Sequence, residues 1–159
     1  VEGAKGLRLL LTELGLASFV KTSGGKGLHV AVPLGGSERE ARPDWDTVKD
    51  FAARVARKIV GVAPKHFTVF MTKPERRGKV FIDYHRNHRG STCAAAYSTR
   101  ARPGAFVSTP IEWEELDGPQ PRFHIFQVMD RLLSAGDPWE RIYESTQTIS
   151  AEALAWLRG

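Results

Sequence analysis

The sequence contains one cysteine, Cys93, among its 159 residues. A single cysteine excludes an intrachain disulfide framework and a zinc site built from several thiolates. No apolar run approaches the roughly 20 residues that a membrane-spanning helix needs. No signal-peptide pattern follows Val1, so we expect a cytoplasmic protein without a membrane partner. Because the first residue is not methionine, we also expect a fragment of a longer polypeptide.

Acidic residues are scarce in one part of the chain. The whole sequence has 23 Lys and Arg against 18 Asp and Glu, a formal net charge of +5. Residues 73–102 hold eight cationic and two acidic residues, whereas residues 103–159 hold four cationic and nine acidic residues. A basic segment of this kind indicates a polyanionic partner such as nucleic acid, although a solvated charged face has the same composition.

Helical and strand patterns are mixed along the chain. Apolar spacing predicts helices over residues 2–15, 45–59 and 123–133, with short helices over 138–143 and 150–157. Runs of β-forming residues predict strands over 17–21, 28–34, 79–84 and 106–111, with a loop over 35–43. The mixture predicts the α+β class: an antiparallel or mixed sheet flanked by helices, in a single unit over residues 1–159. We expect the four tryptophans and Cys93 to lie in its core.

A glycine-rich turn over residues 22–27 separates the first two predicted strands. Backbone N–H groups of such a turn can surround a phosphate, and Ser23 and Lys26 add a hydroxyl donor and a positive charge. His29 begins the next strand and offers a further donor. The G-x-x-x-x-G-K-[ST] spacing of a P-loop is absent. An ordinary hairpin turn has the same composition, so both interpretations stay open.

The β-forming residues over 79–84 predict a buried strand, and Asp83 is a carboxylate near its end, among apolar neighbours. Burial of a lone carboxylate is unfavourable unless a cation accompanies it. That cation is either a hard divalent ion such as Mg²⁺ or a nearby arginine. A two-metal phosphoryl-transfer site normally needs a second carboxylate. The one Asp-x-Asp spacing, at residues 44–46, fits the capping of a helix better.

Arginines surround this segment. Arg100 and Arg102 lie two residues apart, so an extended backbone directs both guanidinium groups to one side, where they can clamp phosphates. Arg76 and Arg86 flank the Asp83 strand and can join the same patch. The alternative is that these arginines only maintain solubility.

The order of these segments resembles the polymerase domain of bacterial ligase D, a member of the archaeo-eukaryotic primase superfamily that works in non-homologous end joining. The resemblance is carried by five segments in order: Lys21-Thr22-Ser23-Gly24-Gly25-Lys26-Gly27-Leu28-His29, Val80-Phe81-Ile82-Asp83-Tyr84 with Arg86-Asn87, Tyr97-Ser98-Thr99-Arg100-Ala101-Arg102-Pro103, Val107-Ser108-Thr109-Pro110 and Trp113-Glu114-Glu115-Leu116. An Asp-x-Asp motif of the family lies upstream of the helix that corresponds to residues 2–15. The chain therefore resembles the C-terminal part of a primase-like catalytic core.

The resemblance implies roles for individual residues. Asp83 would be a catalytic ligand of Mg²⁺ or Mn²⁺, and Ser23 and His29 would hold the phosphates of an incoming nucleotide. The basic residues implied to contact the triphosphate or the template are Lys26, Arg76, Arg86, Arg100 and Arg102. The implied activity is a nucleotidyltransferase that adds ribo- or deoxyribonucleotides to a primer 3′ end at a DNA break.

The implied partners are broken DNA ends or a primer–template, NTP or dNTP, the N-terminal half of the polymerase domain, a ligase domain and the end-binding protein Ku. Because one of three family carboxylates is present, we expect the isolated chain to bind metal weakly and to polymerise at no useful rate. A rival hypothesis is a non-catalytic module that recognises 5′-phosphorylated DNA ends. A small-molecule phosphate enzyme fits less well, since nothing supplies a general base.

Overall fold

The computed structural model describes residues 1–35, 42–145 and 147–157. The described elements are α1 (Glu2–Glu13), β1 (Phe19–Thr22), β2 (Leu28–Ala31), α2 (Trp45–Val62), β3 (Phe67–Thr68), β4 (Val80–Phe81), β5 (Pro110–Ile111), α3 (Ile125–Ala135) and α4 (Ala151–Trp156), with 3₁₀ turns at Trp113–Leu116 and Glu140–Glu144. This mixture confirms the predicted α+β class. Most of the predicted loop over 35–43 lies outside the described residues. No described helix is both long enough and apolar enough to cross a membrane.

The chain alternates between two compact units. The sheet unit comprises Val1, Ala17–Pro33 and Cys93–Ser145, and the helical unit comprises Glu2–Leu16, Leu34–Thr92 and Thr146–Gly159. The sequence predicts one unit over residues 1–159, the C-terminal part of a polymerase domain. That the two units work together in such a domain stays a prediction.

The sheet unit is built on a three-stranded antiparallel sheet in the order β2-β1-β5. Val20 pairs with Val30 of β2 and with Ile111 of β5, so β1 is the central strand. Two tryptophans fix neighbouring segments to it: the indole N–H of Trp113 donates to the carbonyl of Ser18 at 2.8 Å. That of Trp139 donates to the carbonyl of Val20 at 3.0 Å. The central strand β1 is thus paired on both sides and leads directly into the glycine-rich turn.

The helical unit packs α1 against α2. The leucine spacing of the predicted helix 2–15 buries Leu10 and Leu11, and α1 ends before Gly15, which adopts the left-handed φ of 74°. Helix α2 begins after Asp44, whose carboxylate accepts the N–H of Thr47 at 2.7 Å. This hydrogen bond lowers the pKa of Asp44. The N-cap predicted from the sequence is confirmed, and the helix continues to Val62 rather than ending near residue 59.

The strand predicted over residues 79–84 is shorter and more exposed than expected. Only Val80–Phe81 is extended in a ladder, paired in parallel with Phe67–Thr68, and Val80 is 56% exposed. Among the described residues β3 and β4 form a sheet of two strands, so each has an edge without a neighbouring strand. The prediction of a buried strand was therefore wrong, and Asp83 lies beyond its end.

Several predicted core residues are exposed. Trp45 and Trp156 are 55% and 45% exposed because they occupy the first position of α2 and the last position of α4. Cys93 is also exposed.

Helix α3 exposes most of its apolar side chains. Phe126 and Met129 are exposed, and only Val128 of α3 is buried. The face of the helix that carries Val128 and Arg131 is the one that packs against the rest of the unit. These two residues line a small cavity of about 10 Å³ together with Tyr97 and Pro110.

Candidate phosphate-binding site

The turn between β1 and β2 is closed by the side chain of Ser23. The Ser23 N–H donates to the carbonyl of Gly27 at 3.0 Å. The Ser23 hydroxyl oxygen accepts the N–H groups of Gly25 and Gly27, each at 3.2 Å. These two N–H groups are thus directed into the turn rather than toward a ligand, contrary to the simplest expectation for a phosphate cradle. The hydroxyl proton of Ser23 is still able to donate outward.

Gly24 brings this turn against the segment that carries the arginines. A Cβ atom at Gly24 would lie 2.4 Å from Cγ of Arg100 and 2.8 Å from the carbonyl oxygen of Phe106. Its φ of 66° is in the left-handed region, which residues other than glycine rarely adopt. Glycine is therefore required here for two independent reasons, and the close approach places Arg100 directly beside the turn.

The arginine segment is a second, tighter loop. Thr99 bridges to Val107, the Arg100 N–H donates to the carbonyl of Phe106 at 3.1 Å, and Ala105 closes the loop onto the carbonyl of Arg102 at 2.9 Å. A Cβ atom at Gly25 would lie 3.6 Å from Nη1 of Arg102. Both arginines predicted as a phosphate clamp thus meet the glycine-rich turn.

The surroundings of the turn are positively charged. Residues 17–33 and 93–111 contain four cationic residues and no Asp or Glu. Lys26 at the tip of the turn and Arg102 are exposed, whereas Arg100 is half-buried. Exposed guanidinium and ammonium groups without a carboxylate in the same segments are the kind of groups that can bind a phosphate.

Lys21 is a site residue to which the sequence analysis assigned no role. It is 4% exposed, and its ammonium group donates to the hydroxyl of Ser108 at 2.5 Å and to the carbonyl of Ala94 at 2.8 Å. Burial lowers the pKa of Lys21 to about 8, with Cys93 acting in the opposite direction and the charge of Arg100 adding a smaller lowering. The alternation of an antiparallel hairpin was the available clue, because Lys21 pairs with His29 and so shares its face of the sheet.

A hydrogen-bond network continues below Lys21. The Ser108 hydroxyl donates to the carbonyl of Thr22 at 2.9 Å, and the Thr22 hydroxyl accepts the N–H of Thr109 at 2.9 Å and donates to the carbonyl of Val107 at 3.2 Å. All three of these polar side chains are buried. Because they hold β1 to the arginine segment, they fix the position of the turn relative to Arg100.

Asp83 belongs to the helical unit. Its carboxylate accepts the His85 N–H at 3.0 Å and lies 3.8 Å from Nε of Arg86, with both side chains exposed. Of the two cations that the sequence allows for Asp83, the nearby arginine is therefore present as an ion-pair partner. As a metal site, Asp83 can supply one hard oxygen ligand of the kind that Mg²⁺ and Mn²⁺ use. Within the described ranges no group of three His, Cys, Asp or Glu residues has metal-binding geometry.

The other two predicted arginines flank Asp83 within the same unit. The Arg76 guanidinium lies over the ring of Phe81, 4.5 Å from its centroid. Arg86 donates to the carbonyl of Thr92 at 3.1 Å in addition to its approach to Asp83. The structure thus brings the predicted residues together in two groups: Ser23, Lys26, His29, Arg100 and Arg102 in the sheet unit, and Asp83, Arg76 and Arg86 in the helical unit.

Comparison with known proteins gives the same fold. In the structure described as the polymerase domain from Mycobacterium tuberculosis ligase D in complex with DNA, a region 35% identical covers 92% of this chain, with a TM-score of 0.83. The chain spans half of that domain. A fold shared at this level identifies the class: a primase-like α+β domain.

The family within this class is equally defined. The model of the LigD primase-polymerase domain matches residues 1–139. The multifunctional non-homologous end joining protein LigD of Pseudomonas aeruginosa is 44% identical over 89% of this chain, and that of Mycolicibacterium smegmatis is 40% identical over 86%. The chain belongs to the LigD primase-polymerase domain family. It spans 17% of the length of each of these two relatives.

Proposed function

We propose that this chain supplies the nucleotide-binding part of a nucleotidyltransferase that adds NTP or dNTP to a primer 3′ end during the joining of broken DNA. The observation that carries the proposal is the meeting of the Ser23–Gly27 turn with Arg100 and Arg102. It is supported by membership of the family, whose P. aeruginosa relative is named for non-homologous end joining.

The proposed ligand of the turn is the triphosphate. Arg100 and Arg102 would give forked, charge-assisted hydrogen bonds to phosphate oxygens, and Lys26 would add a mobile positive charge. The Ser23 hydroxyl would donate its proton while its oxygen continues to hold the turn. His29, in the strand that leaves the turn, would donate a further hydrogen bond from the face it shares with Lys21.

The proposed metal ligand of this chain is Asp83, as one oxygen donor for Mg²⁺ or Mn²⁺. When bound, such a metal neutralises charge on the transferring phosphoryl group. The Arg86 guanidinium, 3.8 Å from the carboxylate, would have to give way for both oxygens to face a cation. Arg76 and Arg86 would then be left to contact phosphates of the nucleotide or the template.

The proposed polymer partner is DNA, as a broken end or a primer–template. The M. tuberculosis polymerase domain is described in complex with DNA. A ligase domain, the protein Ku and the remaining part of the polymerase domain are further proposed partners, and the cytoplasm is the proposed location.

The test is a gap-filling assay on the 159-residue chain, alone and together with an upstream family segment that carries the Asp-x-Asp motif. We expect Mn²⁺-dependent addition only in the combination, and we expect Asp83→Ala to abolish it while leaving the circular dichroism spectrum unchanged. Addition at the wild-type rate by the Asp83→Ala variant would refute the role of Asp83. Addition by the chain alone would refute the need for the upstream carboxylates.

A second candidate is a non-catalytic module that binds 5′-phosphorylated DNA ends. The observation in its favour is the charge of the helical unit, which has 16 cationic against 10 acidic residues. Such a module would bind DNA without metal or nucleotide, with an affinity that falls steeply as salt rises. Binding that depends strongly on the 5′-phosphate, without any nucleotide binding, would favour this candidate.

A further inference from the structure

A stack of cationic and aromatic side chains lies on the sheet unit outside the residues assigned above. The imidazole of His124 lies over the ring of Phe106, with centroids 4.5 Å apart and planes at 35°. The guanidinium carbon of Arg122 lies 5.6 Å from the centroid of the same ring. Arg122 and His124 are exposed and Phe106 is half-buried. The stack therefore presents a charge and a flat ring to solvent.

The backbone of this stack contacts the glycine-rich turn directly. The carbonyl of Phe106 accepts the N–H of Arg100 and approaches Gly24. From the other side, the Gln120 side chain donates to the carbonyl of Gly27 at 3.2 Å, two residues before Arg122. The backbone that positions the arginine clamp thus also positions the aromatic stack.

The ring of Phe106 packs closely against a second glycine, Gly104. A Cβ atom at Gly104 would lie 2.5 Å from the ring, and Gly104 has a φ of 90°. Glycine at position 104 therefore leaves the space in which the Phe106 ring packs against the backbone. A ring packed in this way has less conformational freedom to lose when a ligand stacks on the groups around it.

The sheet unit has a second arginine–phenylalanine stack, and the two differ in how the arginine charge is paired. Arg131 lies 4.5 Å from the centroid of Phe123, but it is half-buried and forms an ion pair with Glu115 at 2.8 Å. Among the described residues, Arg122 has no carboxylate within ion-pair distance. The charge of Arg131 is neutralised inside the protein, whereas that of Arg122 is open to an external anion.

We propose that the Arg122–Phe106–His124 stack binds a single-stranded nucleic acid next to the nucleotide phosphates, with Arg122 on a backbone phosphate and His124 under a base. Surfaces that bind single strands combine cations that follow the backbone with rings on which bases stack. Arginine held over a ring adds a cation–π contribution. The proposal rests on the proposed function of the turn and extends it from one nucleotide to the strand beside it.

The test measures fluorescence anisotropy of a labelled oligothymidylate of about 12 nucleotides, within the usual range of single-strand sites. It uses the 159-residue chain at pH 8. We expect Arg122→Gln to lower the affinity about fivefold and to reduce the slope of log K against log salt by about 0.7, the value for one phosphate contact on a single strand.

His124→Asn separates stacking from charge. Asparagine is a preferred N-cap residue, so the start of α3 is kept while the ring is lost. We expect an affinity about fivefold lower with the salt slope unchanged, since stacking releases no counterions. Two controls accompany these variants. Arg141→Gln removes one exposed charge elsewhere in the sheet unit. Arg131→Gln removes the arginine that stacks on Phe123 and is paired with Glu115. We expect the oligonucleotide affinity of both variants to lie within twofold of that of the wild type.

The proposal is overturned if Arg122→Gln and Arg141→Gln have the same affinity and salt slope, or if the wild-type chain binds ATP but not the oligonucleotide. Binding of the oligonucleotide with the expected variant pattern, but without ATP binding, would instead contradict the proposed nucleotide site and leave the stack supported. ATP affinity unchanged in Arg122→Gln, together with the loss of oligonucleotide affinity, is the expected result.

Discussion

The sheet unit and the helical unit contribute candidate site residues in opposite ways. In the sheet unit, buried polar side chains such as Lys21 and Ser108 are hydrogen-bonded to one another beside the glycine-rich turn. In the helical unit, Asp83 and Arg86 are exposed and meet at 3.8 Å. Charge follows the same division: seven cationic against eight acidic residues in the sheet unit, and 16 against 10 in the helical unit. Buried hydrogen bonds therefore set the geometry of the first group, whereas exposed local contacts set that of the second.

The sharpest test of this contrast substitutes two glycines of similar φ. Gly24→Ala in the sheet unit would place a Cβ atom 2.4 Å from Arg100, whereas Gly78→Ala in the helical unit meets no atom within 4 Å. Both pay the left-handed penalty of about 1–2 kcal/mol, and overpacking adds about 1–3 kcal/mol at Gly24. We expect urea unfolding to show the larger loss at Gly24. Equal losses would mean that the turn is not packed as described.

Much of this architecture was predictable from local patterns. The leucine spacing of α1, the Asp44 cap of α2 and the hairpin around residues 22–27 are determined by neighbours in sequence, and the structure confirms them. The resemblance to the ligase D polymerase domain is confirmed as well.

What local patterns missed depends on contacts distant in sequence. The burial of Lys21 arises from Ser108, 87 residues away, and the approach of Gly24 to Arg100 spans a similar separation. Val80 was expected inside because β-forming residues surround it, but a sheet of two strands leaves it exposed. The use of the Ser23 hydroxyl to close its own turn was likewise not evident from composition.

Lys21 offers a pH-dependent test of the packed unit. Its pKa is about 8 in the folded chain against an ordinary 10.5, so between these values the unfolded chain holds a proton that the folded chain lacks. The free energy of unfolding should therefore gain a contribution as pH rises from about 8 to about 10.5. In Lys21→Met this contribution is absent, and the stability difference, wild type minus variant, should grow over that range. Parallel profiles would show that Lys21 is not buried as a charged group.

A substitution of Ser23 tests the turn itself, with a smaller expected loss of stability. Ser23→Ala removes the acceptor of two backbone N–H groups, each bond contributing about 0.5–1.5 kcal/mol. We expect hydrogen exchange at the Gly25 and Gly27 amides to accelerate about tenfold, the equivalent of about 1.4 kcal/mol. Ser23→Thr keeps the oxygen and serves as the control. If the amides of the alanine variant exchange at the wild-type rate, the hydroxyl does not close the turn.

Asp83 should show the smallest effect on stability. Its ion pair with Arg86 is exposed and long, and such pairs contribute about 0–1 kcal/mol. We expect Asp83→Asn to change the melting temperature hardly at all, in contrast to the glycine and serine variants of the sheet unit. A loss above about 1 kcal/mol would assign Asp83 a structural role.

The central claim is that the Ser23–Gly27 turn and the arginine segment hold the phosphates of a nucleotide. Calorimetric titration of the chain with ATP and Mg²⁺ tests it most directly, comparing Arg100→Gln with Arg131→Gln, whose arginine is already paired with Glu115. A hydrogen bond to a charged group contributes about 1.5–3 kcal/mol, so Arg100→Gln should lower the ATP affinity at least about tenfold. Arg131→Gln should stay within twofold of wild type. Equal affinities for wild type and Arg100→Gln, with both variants folded, would contradict the account.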